Sequence, residues 1–158
     1  MTKLTAAMAA LFGMALLNPA YAAPKTVHAV YYELGHTQIA PTIAQLPEPL
    51  RVQALCLSMV VYREERGSSR RNQETVAQIT INPVGKPEFA PTLCEVVHQI
   101  NVYHGRRVVQ YPWTVSHNRY QIKEPDAWIK SQNVAYSVLT AHDTVKTNAL
   151  YFDQARLH

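Results

Sequence analysis

A chain of 158 residues, 47% hydrophobic and 16% charged, has the profile of one globular domain and excludes general disorder. Its net charge of +4 favours anionic surroundings such as cell-wall polymers or an acidic membrane surface. The basic residues are scattered, apart from Arg70-Arg71 and Arg106-Arg107, so no basic stripe points to a nucleic-acid partner.

The chain opens with Lys3, an uncharged apolar stretch from Leu4 to Leu17, and Ala20-Tyr21-Ala22, which has the small-x-small form of a cleavage site. Residues 1–22 are therefore predicted to be a secretory signal peptide cleaved after Ala22, which delivers the remainder to the periplasm or cell envelope. The competing reading is an uncleaved anchor. The apolar stretch is short for a span, which needs roughly 20 residues, and Pro19 interrupts it. No later apolar run is long enough to cross a bilayer, so no stable membrane span is expected in the mature chain.

Residues 23–47 read as an N-terminal arm, with a short strand suggested between Lys25 and Leu34 by the loose alternation of Val27, Val30, Tyr31 and Tyr32. The main domain is placed at 48–158. Its first helix is predicted over Glu48–Arg66, with Pro49 tolerated in the first turn and Gly67 as the stop. Apolar residues surround it between Ala54 and Val61, so it should be buried on all sides. A second helix follows over Asn72–Asn82, with Val76 and Ile79 inward and Pro83 ending it.

After a proline-rich loop, Val84–Pro91, a third helix starts at Thr92, where Thr92-x-x-Glu95 has the form of a capping box. Leu93, Val96, Val97 and Ile100 form its predicted apolar stripe. From Gly105 to Lys123 the pattern is not helical. Val108-Val109, Tyr111 and Trp113-Thr114-Val115 suggest short strands or an extended segment lining a groove. A last helix begins near Pro125, with Trp128, Ala135, Val138 and Leu139 on one side. The fold class is thus α+β, mainly helical, in one domain; the stretch 147–158 carries no clear pattern.

Cys56 and Cys94 make an even count in an exported chain and are candidates for a disulfide between the first and third helices. Two buried thiols are the alternative. A metal site is disfavoured, because neither cysteine has a second Cys or a His at ligand spacing. The seven histidines show no His-x-x-x-His or His-Glu-x-x-His pattern, and Ser68-Ser69 lies in no serine-nucleophile context. No metal and no cofactor are expected.

The candidate acid closes the buried helix, in Tyr62-Arg63-Glu64-Glu65-Arg66-Gly67. Glu64 has Val60 and Leu57 one and two turns back, so its carboxyl can sit partly desolvated. Desolvation favours the protonated form, which glycosidic-bond cleavage needs near neutral pH. Glu65 competes, but it lies about 100° round a helix and cannot share one site with Glu64. The plainer reading makes both carboxylates solvated helix-end groups paired with Arg63, Arg66 or Arg70.

Five ordered blocks carry a family resemblance. They are Ala54-Leu55-Cys56-Leu57 running into Tyr62-x-Glu64-x-Arg66-Gly67; Val76-Ala77-Gln78 to Asn82; and Phe89-x-x-Thr92-Leu93-Cys94-x-Val96-Val97-x-Gln99. Gln110-Tyr111-Pro112-Trp113-Thr114 comes next, and then Trp128 to Leu139 with Asp143 and Asn148-Ala149-Leu150-Tyr151-Phe152. Together they resemble the SleB/CwlJ-type cell-wall hydrolases.

The resemblance implies cleavage of peptidoglycan glycan strands, with Glu64 as the catalytic acid, on a lysozyme-like scaffold. It implies lytic transglycosylase chemistry in which one glutamate acts as acid and then as base. Gln110, Tyr111, Trp113 and Thr114 would line the sugar groove, Tyr62 and Asn82 would orient the acid or an N-acetyl group, and Tyr151 would close the far side. The chain departs from the family at Arg63 (usually aromatic), Ser68 (often acidic), Pro83 (usually Arg) and Asp153 (usually His). A muramidase-type hydrolase and a non-catalytic wall-binding relative are the alternatives. The expected partner is peptidoglycan, bound by a monomer, in bacterial wall remodelling or as a phage endolysin.

Overall fold

Between Glu48 and Glu65 the chain has no glycine and, from Ala54 to Val61, no charge, so its α-helix has no polar face to turn to solvent. In the computed structural model, which describes residues 30, 32–140 and 147–150, this helix is the axis of the domain. The expected signal peptide, Asp143 and Tyr151 lie outside the described residues. The elements are α1 (Pro41–Ala44), α2 (Glu48–Glu65), α3 (Arg70–Ile81), α4 (Leu93–Val97), β1 (Ile100–Tyr103), β2 (Arg106–Val109), a 3-10 helix (Pro112–Val115) and α5 (Pro125–Leu139).

α2 packs against α5, α3, α4 and α1, and α5 also meets α3 and α1. The core divides into two clusters along α2. One gathers Leu55, Cys56, Met59 and Tyr62 with Leu34, Ile43 and Trp128; the other gathers Leu57, Val60 and Val61 with Val76, Val97, Tyr111 and Val138. Opposite faces of a single helix therefore feed both. Two buried hydroxyls on these helices are satisfied within the helix: Ser58 Oγ donates to the Ala54 carbonyl at 2.6 Å, and Thr80 Oγ1 to the Val76 carbonyl at 2.7 Å.

The segment read as an arm contributes Val30, Leu34, Ala40, Ile43 and Leu46 to the core. It is tied to α5 by the buried Gln132, whose Oε1 accepts from the Ala40 amide at 2.8 Å and whose Nε2 donates to the Gln38 carbonyl at 2.9 Å. Residues 30 and 32–35 are helical, which corrects the strand suggested between Lys25 and Leu34 at those positions; Val27 and Tyr31 lie outside the described residues. The apolar positions Val30 and Leu34 are four apart and fit one helix face better than an alternating strand.

Helix boundaries elsewhere follow the expected pattern, with three physical differences. Gly67 has no left-handed backbone; the end of α2 is covered by Gln73, whose buried Nε2 donates to the Glu65 carbonyl at 3.0 Å and reaches those of Arg66 and Ser68 at 3.4 Å. α4 stops at Val97, and Ile100, expected on its stripe, instead opens β1 opposite Val109. Trp113-Thr114-Val115 form a 3-10 turn started by Pro112, not an extended strand.

Thr92 does cap α4, accepting from the Glu95 amide at 3.4 Å while its hydroxyl donates to Glu95 Oε2 at 2.7 Å. The two strands form an antiparallel hairpin closed by His104 and Gly105, both at positive φ (48° and 74°), the conformation a two-residue hairpin turn requires. Cys56 and Cys94 are joined in a disulfide, with Cα atoms 5.4 Å apart, that fastens α4 to α2. Among the described residues no helix is long and apolar enough to cross a membrane.

Candidate active site

Glu64 stands half-buried in the last turn of α2, and Trp113 stands half-buried in the 3-10 helix. The indole Nε1–H donates to Glu64 Oε1 at 3.0 Å, which joins two residues 49 apart in sequence. Trp113 packs against both core clusters, so it lies at their seam.

The turn that presents Trp113 is held from both sides. Tyr111 is 2% exposed, and its hydroxyl is 2.7 Å from Thr80 Oγ1. Because the Thr80 proton goes to the Val76 carbonyl, Tyr111 is the donor of that pair. Burial pushes the phenol pKa well above its ordinary value, the Thr80 hydrogen bond opposes this, and the nearby Glu64 charge adds to it. The phenol therefore stays protonated. Thr114 is buried too, and its hydroxyl donates to the Tyr111 carbonyl at 2.7 Å; Ser116 Oγ donates to the Trp113 carbonyl at 2.7 Å.

The arginines near Glu64 have partners of their own. Arg66 Nε donates to Glu124 Oε1 at 2.6 Å, with its guanidinium over the Tyr62 ring, and Arg70 pairs with Glu74 at 2.7 Å. Glu65 is 8% exposed, on the side of α2 where its carbonyl meets Gln73.

Arg63 has a role that sequence reasoning missed. Its guanidinium donates to the Arg119 carbonyl from Nε at 3.1 Å and from Nη2 at 2.7 Å, and to the Asn118 carbonyl. Burial lowers its pKa from the usual value. Tyr62, also buried, accepts on its hydroxyl from the amides of Lys123 at 2.9 Å and Glu124 at 3.0 Å, and its ring stands edge-on to Trp128. Tyr62 and Arg63 of α2, with Arg66 just past its end, thus pin the loop 116–124, which follows the Trp113 turn. The only signal in the sequence is that a cation stands just before Glu64, where the resembled family usually has an aromatic residue.

Asn82 serves the other side. Its Nδ2 donates to the carbonyls of Thr147 at 2.7 Å and Ala149 at 2.9 Å, and its Oδ1 accepts from Gln78 at 2.9 Å. These residues border an open pocket of about 450 Å³ lined by Gln78, Asn82, Thr147 and Asn148. Gln110 is half-buried, with its amide bonded to the Gln99 carbonyl at 3.1 Å and no side-chain hydrogen bond among the described residues.

His98, at the end of α4, lies beside Trp113 with the rings edge to face, centroids 6.4 Å apart. Its Nδ1 is 2.8 Å from the Cys94 carbonyl and its Nε2 2.8 Å from the Tyr120 hydroxyl. Desolvation, opposed by the Cys94 hydrogen bond and reinforced by the Arg119 charge, lowers its pKa. Among the described residues no group of three or more His, Cys, Asp or Glu could hold a metal ion.

A family model described as Cell Wall Hydrolase matches residues 67–157, more than half of the chain. The match takes in Asn82, Cys94, Gln110 and Trp113 and begins just past Glu64. No curated protein and no solved structure matches. On the family match, with the motif blocks in order on a mainly helical α+β domain, the chain belongs to the cell-wall hydrolases of the SleB/CwlJ type, enzymes whose substrate is peptidoglycan.

Proposed function

We propose that the protein is a lytic transglycosylase in which Glu64 is first general acid and then general base. The observation that carries this reading is the Trp113 Nε1–H bond to Glu64 Oε1 at 3.0 Å. A donor on Oε1 orients the carboxyl group and directs the acid proton to Oε2. An aromatic face beside the acid is also suited to a sugar ring, and Gln110 has an amide available to ring substituents.

In the reaction, Glu64 gives its proton to the glycosidic oxygen as the bond from the muramyl C1 to that oxygen breaks. The C6 hydroxyl oxygen of the same muramyl residue bonds to C1, and its proton returns to Glu64. Bonds and protons balance without water, metal or a second carboxylate, unlike the two-carboxylate scheme of most glycosidases. Tyr111 and Thr114 act as positioning residues for the Trp113 turn. Asn82 tethers the segment 147–150 at the edge of the pocket. Residues 1–22 export the enzyme to its substrate.

Mass spectrometry of fragments released from purified peptidoglycan tests the chemistry. Anhydro-muramyl ends, about 18 Da lighter than hydrated ends, are expected. Hydrated reducing ends instead would assign a muramidase-type hydrolase.

A further inference from the structure

We propose that His98 is a positioning residue for the acid: its neutral imidazole, clamped between the Cys94 carbonyl and the Tyr120 hydroxyl, holds the Trp113 indole in the orientation that meets Glu64. The inference rests on the reading of Glu64 as the acid and adds a residue to it. Position 98 falls between Val97 and Gln99, in a block where only its neighbours carry the family resemblance.

A carbonyl can only accept, so the ring nitrogen 2.8 Å from the Cys94 oxygen, Nδ1, bears the proton. Nε2 is then the acceptor, and the Tyr120 hydroxyl 2.8 Å away is its donor. With both nitrogens committed, the ring cannot turn. One side of it meets Trp113 edge to face, at 80° between planes, and the other meets Tyr120.

The two ends of the clamp are themselves fixed. Cys94 is bonded through its sulfur to Cys56 of α2, the helix that carries Glu64. Tyr120 belongs to the loop that Arg63 of α2 pins by the neighbouring carbonyls. A closed circuit results: α2 to Cys94, to His98, to Trp113, and back to α2 at Glu64.

The charged groups around the imidazole favour the neutral form. Arg119, over the Tyr120 ring at 5.2 Å, faces it from the loop; Glu33, from the helical residues 32–35, acts on Tyr120; Glu64 lies beyond Trp113. Protonation puts a hydrogen on Nε2, so the Tyr120 hydroxyl must turn from donor to acceptor, and it places a cation beside Arg119. The reversed bond and that repulsion shift the ring and, with it, the edge contact on the indole.

The test follows the Trp113 indole N–H and the His98 ring by NMR across pH, in the full chain carrying Glu64→Gln so that the acid's own titration is removed. The Trp113 resonance should shift with the same midpoint as the His98 imidazole. Tyr120→Phe removes the donor to Nε2 while keeping the ring, so both midpoints should move to higher pH together. A Trp113 resonance that stays flat while His98 titrates, or that does not follow it in Tyr120→Phe, overturns the proposal.

With Glu64 restored, His98→Gln should lower kcat about tenfold or more with KM nearly unchanged, as loss of orientation rather than of binding requires. Unchanged kcat also overturns the proposal. If the wild type releases no wall fragments, the reading of Glu64 fails on that result alone, whereas the NMR midpoints still decide whether His98 holds Trp113.

Discussion

The Trp113 indole N–H meets the Glu64 carboxylate at 3.0 Å, although the two residues come from different elements and opposite halves of the sequence blocks. Tyr111, buried in one cluster with Val60 and Val61 of α2, brings the 3-10 turn to the end of that helix. Replacing Trp113 by Phe keeps most of the packing and removes the donor. A hydrogen bond to a charged group contributes about 1.5–3 kcal/mol, so the rate of peptidoglycan clearing should fall by about one to two orders of magnitude. Clearing by Trp113→Phe at the wild-type rate would show that the bond does not orient the acid.

The Cys56–Cys94 bridge closes a loop with a sequence separation of 38 residues. In the chain-entropy account, a loop of this size stabilises the fold by about 3–4 kcal/mol. The Cys56→Ser, Cys94→Ser double variant should therefore unfold at clearly lower urea, and the non-reduced wild type should take up no thiol label. Labelling of both cysteines in the folded wild type would contradict the pairing.

Arg63 holds the loop after Trp113 by a fork of N–H groups on two carbonyls. Lysine offers a single ammonium and cannot reproduce the fork. Arg63→Ala and Arg63→Lys should both raise amide hydrogen exchange in residues 117–121 and cost about 1–3 kcal/mol of stability. Wild-type exchange in Arg63→Lys would reduce Arg63 to a general surface cation.

How much of this was legible in the sequence depends on the range of the interaction. α2 announced itself, because an apolar run with no polar face has one stable destination, and helical spacing put Glu64 at its end beside apolar neighbours. The end of α4 did not. Ile100 continues the helical stripe by spacing, yet its backbone is taken by Val109 across the hairpin, and that pairing is set by the turn at His104-Gly105. Trp113 stood out through its motif, but its 3-10 geometry goes with Tyr111 reaching Thr80, 31 residues away. Arg63 and His98 left almost no trace, since their partners are backbone carbonyls and a tyrosine that no local pattern identifies.

Stability should depend on pH through His98. Its folded pKa lies below its unfolded value of about 6.5. The folded state therefore binds fewer protons, and the contribution present above about pH 6.5 is lost as pH falls toward the folded pKa. Urea unfolding at pH 7.5 and at pH 5 should give a larger drop for the wild type than for His98→Gln. Equal drops would remove His98 as a source of acid sensitivity.

The most direct measurement is zymography on purified peptidoglycan with wild type, Glu64→Gln and Glu65→Gln, each checked for native folding by circular dichroism. General acid catalysis contributes typically 10²–10⁴-fold, so Glu64→Gln should clear about that much more slowly while Glu65→Gln still clears. Undiminished clearing by folded Glu64→Gln would contradict the assignment of the acid.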